Sequence, residues 1–160
     1  MRHRRILIPA SGFYEWYRPA DKRQAKQPYW IREANQQPFA FAGLAEHWMG
    51  KDGSELESGC ILTVQSNSQI EKIHHRMPVV IKPEDYDRWL DCKSQEPRDV
   101  ADLMQPVEEG FFEAIAVSDA VNKVKNTGPE IQSPISKQIN EAPETNKKTK
   151  EPNNDQMDLF

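Results

Sequence analysis

A series of short apolar runs, each bounded by turn-forming or polar residues, constrains the fold of this chain more than any other feature. The chain opens with RRILIPASGFYEWY, and further runs are QPYWIRE, QPFAFAGLAEHW, GCILTVQS, MPVVI and GFFEAIAVS. Runs of about four to eight residues, rich in aromatic and β-branched side chains, are typical of β-strands. Gly12 marks an expected turn or bulge, and the link EANQQP suits a hairpin between its flanking strands.

Three other segments carry helical signals. Ser66 or Asn67 is a candidate N-cap for a short helix within SNSQIEKIH, and Pro83 occupies a typical first helical position in KPEDYDRWLDC. The segment EPRDVADLMQPV has the pattern of a further short helix. Because strands and helices do not alternate regularly, the sequence predicts the α+β class.

The character of the sequence changes at Pro134. Residues 134–160 are rich in Pro, Asn, Lys, Glu and Thr, and hold almost no apolar side chain before the last five positions. Such a segment cannot bury enough apolar surface to offset the entropy that it loses on ordering. We therefore expect one domain over residues 1–133 and a disordered tail over residues 134–160.

The last five residues, QMDLF, resemble the pentapeptide with which bacterial proteins bind the sliding clamp. The resemblance implies that Gln156 makes polar contacts at a pocket rim, while Met157, Leu159 and Phe160 fill apolar pockets. A disordered linker would let the motif reach its partner without rigid docking. Because a five-residue pattern also occurs by chance, a plain disordered terminus is the alternative.

Charge is distributed unevenly along the chain. The net charge is -4, but residues 1–32 hold eight Lys or Arg and two acidic residues, whereas residues 33–133 hold nine and eighteen. A basic end joined to an acidic body suggests one face suited to a polyanion, and chance scatter is the alternative. No segment approaches the roughly 18 apolar residues of a membrane span, and we expect a cytoplasmic protein.

The two cysteines, Cys60 and Cys92, lack the spacing of a zinc or redox motif. Two lone cysteines without an export signal rarely form a structural disulfide. We interpret Cys60 as a buried strand residue and Cys92 as a residue packed at a helix end. The sequence therefore indicates no cofactor and no metal site.

Glu15 is the first candidate for chemistry. In a strand, Phe13 and Glu15 share one face, while Tyr14 and Trp16 share the other. A carboxylate beside aromatic side chains can be partly desolvated, and desolvation raises its pKa into a range useful for proton transfer. The alternative is a solvated glutamate on the open face of a strand.

The histidine pair in IHHRMP is the second candidate. Neighbouring residues of an extended segment point to opposite sides, so His74 and His75 are not expected to share a metal. One histidine can face a cleft while Arg76 binds a phosphate or carboxylate there. The alternative is a surface histidine pair that precedes a strand.

Four blocks in order, ASGFYEW, IHHRMPVVI, PEDYDRWLD and AVSDAVNKVKNTGPEIQSPI, resemble the SOS-response-associated peptidase (SRAP) family over roughly residues 4–135. The resemblance implies an α+β fold with a barrel-like sheet core and a groove for single-stranded DNA. Family members crosslink to abasic sites through a cysteine that becomes the N-terminal residue. Its amine and thiol condense with the sugar aldehyde to a thiazolidine, and the same cysteine releases a pro-peptide in some members.

The resemblance also implies roles for individual residues. Glu15 matches a proton-shuttling glutamate, His74 matches a histidine that assists ring opening, and Arg76 matches a DNA-contacting arginine. The other predicted DNA-binding residues are Arg4, Arg5 and Trp16. Asn122 lies in the block that closes the family domain, and we assign it a structural role. The implied partner is single-stranded DNA with abasic sites, which suggests association with the nucleoid.

The sequence departs from the family pattern at its start. A member begins Met-Cys-Gly-Arg and carries an Asn-Ala-Arg motif that cradles the abasic sugar, whereas this chain begins Met-Arg-His-Arg and lacks that motif. We therefore expect an N-terminally truncated, monomeric SRAP fold of low stability that cannot crosslink alone. The alternative is a non-catalytic DNA-binding or clamp-tethered remnant.

Overall fold

The computed structural model describes residues 4–135, and the predicted clamp motif at residues 156–160 lies outside them. Nine strands and two short α-helices follow one another along the described chain. The strands are β1 (Arg5–Ala10), β2 (Phe13–Tyr17), β3 (Gln27–Glu33), β4 (Phe39–Met49), β5 (Glu55–Ile61), β6 (Thr63–Gln65), β7 (Arg76–Pro78), β8 (Val80–Ile81) and β9 (Phe112–Ala116). The α-helices are α1 (Ser68–Glu71) and α2 (Tyr86–Leu90), and 3-10 helices cover Pro83–Asp85, Pro97–Leu103, Asp119–Asn122 and Pro129–Gln132.

The strands form three antiparallel sheets. One has the order β1-β4-β5 with β8 also paired to β4, the second has the order β2-β3-β9, and the third is the β6–β7 pair. The α+β class predicted from the sequence is confirmed. Within residues 4–135 these sheets stay open and do not close into a barrel.

Two apolar clusters hold the sheets and helices together. The larger cluster includes Ile31 of β3, Phe41 of β4 and Phe112 of β9, so it joins the two large sheets. Phe13 contacts Phe41 and Phe112 edge-to-face at centroid distances of 5.8 and 5.4 Å, a favourable geometry for aromatic rings. This packing fixes β2 against the core, and β2 carries Glu15.

The second cluster lies where α2 covers the first sheet. Trp89 of α2 is fully buried with Ala42, Val79 and Val100, and its indole N–H donates to the Ile6 carbonyl at 2.9 Å. Pro83 begins the 3-10 helix that leads into α2, as the sequence predicted.

Glycine is required at the corner between β1 and β2. A β-carbon on Gly12 would lie 2.5 Å from the Trp30 ring, far inside van der Waals contact. The turn or bulge predicted there is confirmed, because β1 ends at Ala10 and β2 begins at Phe13.

Two predictions about the strands are wrong. The link EANQQP does not close a hairpin, because β3 pairs with β2 and β9 whereas β4 pairs with β1, β5 and β8. Cys60 is exposed and not buried. It lies on β5, which is the edge strand of its sheet within residues 4–135 and has no buried residue. Among residues 4–135, none of the helices has the length and apolarity that crossing a bilayer requires.

Candidate functional site

Glu15 lies on β2 at the border between core and surface. It is paired with Tyr29 of β3, and its strand neighbours on the same face are Phe13, which packs into the core, and Tyr17, which is exposed. The alternation predicted from the sequence therefore holds. It places the Glu15 carboxylate at the rim of the apolar cluster.

His74 lies in a bend between α1 and β7. Asn67 caps α1 by accepting from the Ile70 N–H, and the His74 N–H donates to the Ile70 carbonyl at 2.9 Å. Ser66 fixes the bend from the other side, because its hydroxyl donates to the His74 carbonyl and its N–H to the His75 carbonyl. Backbone contacts thus hold the histidine in a defined position.

The fold brings Glu15 and His74 together. The distance between Glu15 Oε1 and His74 Nδ1 is 3.9 Å, and their side chains are 26% and 28% exposed. That distance is longer than a hydrogen bond, although catalytic contacts are often loose before substrate binds. Both side chains are sheltered enough to be oriented and open enough to reach a substrate.

The backbone of β7 sets the orientation of the His74 ring. His74 Nδ1 lies 2.9 Å from the Arg76 carbonyl oxygen and 3.2 Å from the Arg76 N–H. Nδ1 is the donor in the first contact and the acceptor in the second, so these contacts fix the orientation of the ring in either tautomer.

A cleft of about 430 Å³ adjoins His74. Its lining residues are Tyr17, Arg18, Glu71, Lys72, Ile73, His74 and His75. Arg18 and Lys72 give this cleft two cations against the single carboxylate of Glu71. A cleft of this charge suits an anionic ligand such as a phosphate.

His75 does not face away from His74, contrary to the sequence prediction. The centroids of the two imidazole rings are 4.6 Å apart, with an interplanar angle of 40°. The prediction assumed an extended segment, but the chain bends here and turns both rings to the same side. No group of three His, Cys, Asp or Glu side chains that could hold a metal ion is found within residues 4–135.

Arg76 lies on the exposed edge of the β6–β7 pair. Its guanidinium donates to the Thr63 hydroxyl, at 2.7 Å from Nη2, and to the Thr63 carbonyl. Thr63 therefore orients the arginine, a role that sequence reasoning missed because it depends on strand pairing. Arg4 is also exposed, and DNA contact by either arginine stays a prediction.

The position of Arg5 corrects the prediction that this residue binds DNA. It is only 4% exposed, and its guanidinium donates to the carbonyls of Trp89, Asp91 and Gln95 at 2.5 to 2.9 Å. The group also lies 5.7 Å from the centroid of the Trp89 ring. A guanidinium engaged with backbone carbonyls in the interior is placed to hold the fold and not to bind DNA as predicted.

Trp16 joins β2 to the 3-10 helix Asp119–Asn122. Its indole N–H donates to Asn122 Oδ1 at 2.9 Å, which gives Asn122 the structural role expected of it. The two residues line an open cleft with Ala25, Lys26 and Asp119. DNA contact by Trp16 stays a prediction.

Comparison with known proteins bears directly on this arrangement. The family model described as SOS response associated peptidase (SRAP) matches residues 1–124. The chain belongs to the SRAP family. The matched range contains all nine strands together with Glu15, Trp16, His74 and Arg76.

Several curated SRAP relatives are similar over most of this chain. The abasic site processing protein YoqW of Bacillus subtilis is 40% identical over 80% of this chain and 56% of its own length. YedK of Escherichia coli is 32% identical over 84% of this chain and 59% of its own length, and HMCES of Pongo abelii is 30% identical over 82% and 44%. The chain spans about half the length of the curated relatives it matches.

Two solved structures support the same fold. A protein from Bacteroides thetaiotaomicron matches with a TM-score of 0.75 and 28% identity, over 84% of this chain and 58% of its own. A phage-related protein from Bordetella bronchiseptica matches with a TM-score of 0.54 and 32% identity, over 71% and 53%.

Proposed function

We propose that this chain acts in abasic-site processing, binding single-stranded DNA and presenting Glu15 and His74 to the exposed sugar. The observation that carries the proposal is the 3.9 Å approach of these two side chains beside a cationic cleft. The names of the relatives, abasic site processing proteins, give the substrate class. DNA phosphates would follow the Arg18 and Lys72 side of the cleft.

The pair suits the opening of an abasic sugar. The closed sugar is a hemiacetal, so opening it removes the proton from the C1 hydroxyl and delivers a proton to the ring oxygen. Glu15 is the base in this step and the His74 imidazole is the acid, which together yield the free aldehyde. General acid–base catalysis of this kind contributes about 10²- to 10⁴-fold in rate.

The covalent step needs a nucleophile with a free amine beside a thiol. The amine and aldehyde form a Schiff base with loss of water, and the thiol then adds to the C=N bond to close the thiazolidine ring. Cys60 and Cys92 are internal, so their nitrogens are amides. A polypeptide of these 160 residues should bind abasic DNA without forming a heat-stable adduct, and such an adduct would contradict this part of the proposal.

The test supplies the missing nucleophile separately. A short peptide with an N-terminal cysteine is incubated with an abasic single-stranded oligonucleotide, and thiazolidine formation is followed by mass spectrometry with and without the chain. We expect the chain to accelerate the reaction about 100-fold. Glu15→Gln and His74→Gln should each abolish most of that acceleration.

The matched control is His47→Gln. His47 lies 3.6 Å from the carboxylate of Glu57 on the β4–β5 hairpin, so it is a similar His–Glu pair outside the cleft. This variant should keep the full acceleration. Binding of DNA with no acceleration would reject catalysis and favour the non-catalytic DNA-binding alternative, whereas equal affinity for abasic and intact strands would reject the proposal as a whole.

A further inference from the structure

The β4–β5 hairpin leaves one strand open to solvent. All seven residues of β5 are exposed, and near the end of the hairpin Trp48 and Leu56 are 56% and 58% exposed. Within residues 4–135, β5 pairs with β4 alone, so its other edge carries unpaired backbone groups. An open edge beside exposed apolar side chains is a template for another strand.

The ladder with β4 shows which backbone groups point outward. At one end the Leu62 N–H donates to the Ala42 carbonyl, and at the other the Gly50 N–H donates to the Ser54 carbonyl. Because hydrogen-bonded and non-hydrogen-bonded pairs alternate, the even-numbered residues of β5 bond to β4. The outward N–H and C=O groups therefore belong to Glu55, Glu57, Gly59 and Ile61.

We propose that two copies of this chain pair through β5, antiparallel about a two-fold axis at Ser58. Directly opposed residues of an antiparallel pair project from the same face of the sheet. An axis between two residues would oppose odd-numbered residues to even-numbered ones, which project from different faces. The axis must therefore pass through a residue that opposes its own copy. With Ser58 at the axis, all seven residues of β5 find an opposite. The resulting pairs are Glu55 with Ile61, Leu56 with Cys60, and Glu57 with Gly59.

The neighbouring registers are less favourable. An axis at Glu57 would oppose two glutamates directly, and like charges in this position destabilise a sheet. An axis at Gly59 would pair only residues 57–61. The Ser58 register is therefore the one that pairs the full strand, uses the outward backbone groups and separates the carboxylates.

Side chains across the seam also match. In β4 and β5, Trp48 is opposite Leu56 and Leu44 is opposite Cys60. In the dimer, Leu56 of one copy meets Cys60 of the second copy, so Trp48, Leu56 and the second copy's Cys60 and Leu44 form one apolar row. The two-fold axis generates a second such row, and contact across the seam buries part of the exposed surface of Leu56 in each row. The pairing departs from the monomer predicted by the sequence.

A crosslink tests the register on the full 160-residue chain. Opposed residues in an antiparallel pair have Cα atoms about 4.5 to 5.5 Å apart, within disulfide range. In the Leu56→Cys variant, the introduced thiol should form a disulfide with Cys60 of the second copy under mild oxidation, identified by mass spectrometry of the linked peptide. Positions 56 and 60 of one strand lie roughly 13 Å apart, so a link within one chain cannot form. Glu57→Cys, on the opposite face, is the matched control and should give no link to Cys60.

A second measurement follows the mass in solution. Analytical ultracentrifugation should show a species of about 37 kDa, twice the 18.5 kDa of one chain. Glu57→Pro removes an outward N–H without taking a bond from β4, so it should raise the dimer dissociation constant about tenfold or more. Glu57→Thr should leave it within about twofold. A chain that stays monomeric at about 100 µM, or a dimer in which the Leu56→Cys variant forms no link to Cys60, would overturn the proposal.

Discussion

Arg5 anchors the end of α2 to the start of β1. The last carbonyls of a helix have no partner within it, and the Arg5 guanidinium serves the Trp89 carbonyl at that end together with those of Asp91 and Gln95. Its neighbour Arg4 is exposed. At the scale of single residues, an arginine therefore stabilises the fold at position 5, whereas the arginine at position 4 remains accessible to solvent.

Replacing Arg5 by Met should lower the free energy of unfolding by about 3 kcal/mol, because it removes the donor to the buried Trp89 carbonyl and to the part-buried carbonyls of Asp91 and Gln95. Urea denaturation followed by circular dichroism measures the change. Arg4→Met, at the exposed neighbour, should stay within about 0.5 kcal/mol of the unsubstituted chain. If the Arg5 variant kept its stability and lost DNA binding instead, the structural role would be wrong.

At the scale of elements, an ion pair joins α2 to the 3-10 helix Pro97–Leu103. Arg88 donates to both carboxylate oxygens of Asp102, at 2.7 and 2.6 Å, and to the Asp99 carbonyl. These hydrogen bonds from Arg88 lower the pKa of the Asp102 carboxyl. The link holds the two helices side by side over the first sheet.

The contribution of the Arg88–Asp102 ion pair to the stability of the fold should vanish in acid. Because the folded-state pKa of Asp102 is depressed, the stabilisation is fully present above the unfolded pKa of about 3.9 and is lost as the pH falls through the folded value. Asp102→Asn should lower the melting temperature slightly at pH 7, and the difference should shrink below about pH 4. Both groups are exposed, so solvent screening keeps the effect small.

The control is Asp87→Asn, which changes a neighbouring carboxylate that does not hydrogen-bond to Arg88. If the melting-temperature difference between Asp102→Asn and the unsubstituted chain stayed the same from pH 7 to below pH 4, the stabilising role of the Arg88–Asp102 pair would be wrong.

At the scale of the whole molecule, the candidate site depends on the mutual placement of two sheets. Glu15 comes from the β2-β3-β9 sheet and His74 from the bend that precedes β7, and their neighbours Phe13 and Ile73 both pack against the larger apolar cluster. A substitution in that cluster can therefore reduce activity without touching either residue.

The tail gives a separate expectation at this scale. If QMDLF binds a sliding clamp, replacing Leu159 and Phe160 by Ala should remove the two pocket-filling side chains and weaken binding by roughly tenfold or more. Surface plasmon resonance with an immobilised bacterial clamp measures this, and Lys147→Ala with Lys148→Ala, in the same tail, is the control. Unchanged affinity of the Leu159/Phe160 variant would reject the motif.

Local signals in the sequence identified elements better than their partners. QPYWIRE is the full span of β3, and Asn67 caps α1 as expected. The hairpin between β3 and β4 was wrong because both segments are apolar enough to pair with several strands, and tertiary packing decides among them.

The same limit applies to the candidate site. Glu15 and His74 could be selected from family motifs, yet their approach depends on pairing between distant segments. The burial of Arg5, the exposure of Cys60 and the turn of His75 toward His74 also depend on three-dimensional context. Composition and the alternation of apolar and polar residues do not show which distant segments pack together.

The topology of β3 has a consequence for synthesis on the ribosome. β3 pairs on one side with β2, which precedes it closely, and on the other with β9, which begins at Phe112. At typical elongation rates, roughly 4 to 16 s pass between the emergence of these two strands. During that interval Trp30 and Ile31 lie beside an edge with no strand to cover it. The nascent chain is then a substrate for chaperones and for non-native pairing, and its candidate site cannot be complete until nearly the whole domain has been made.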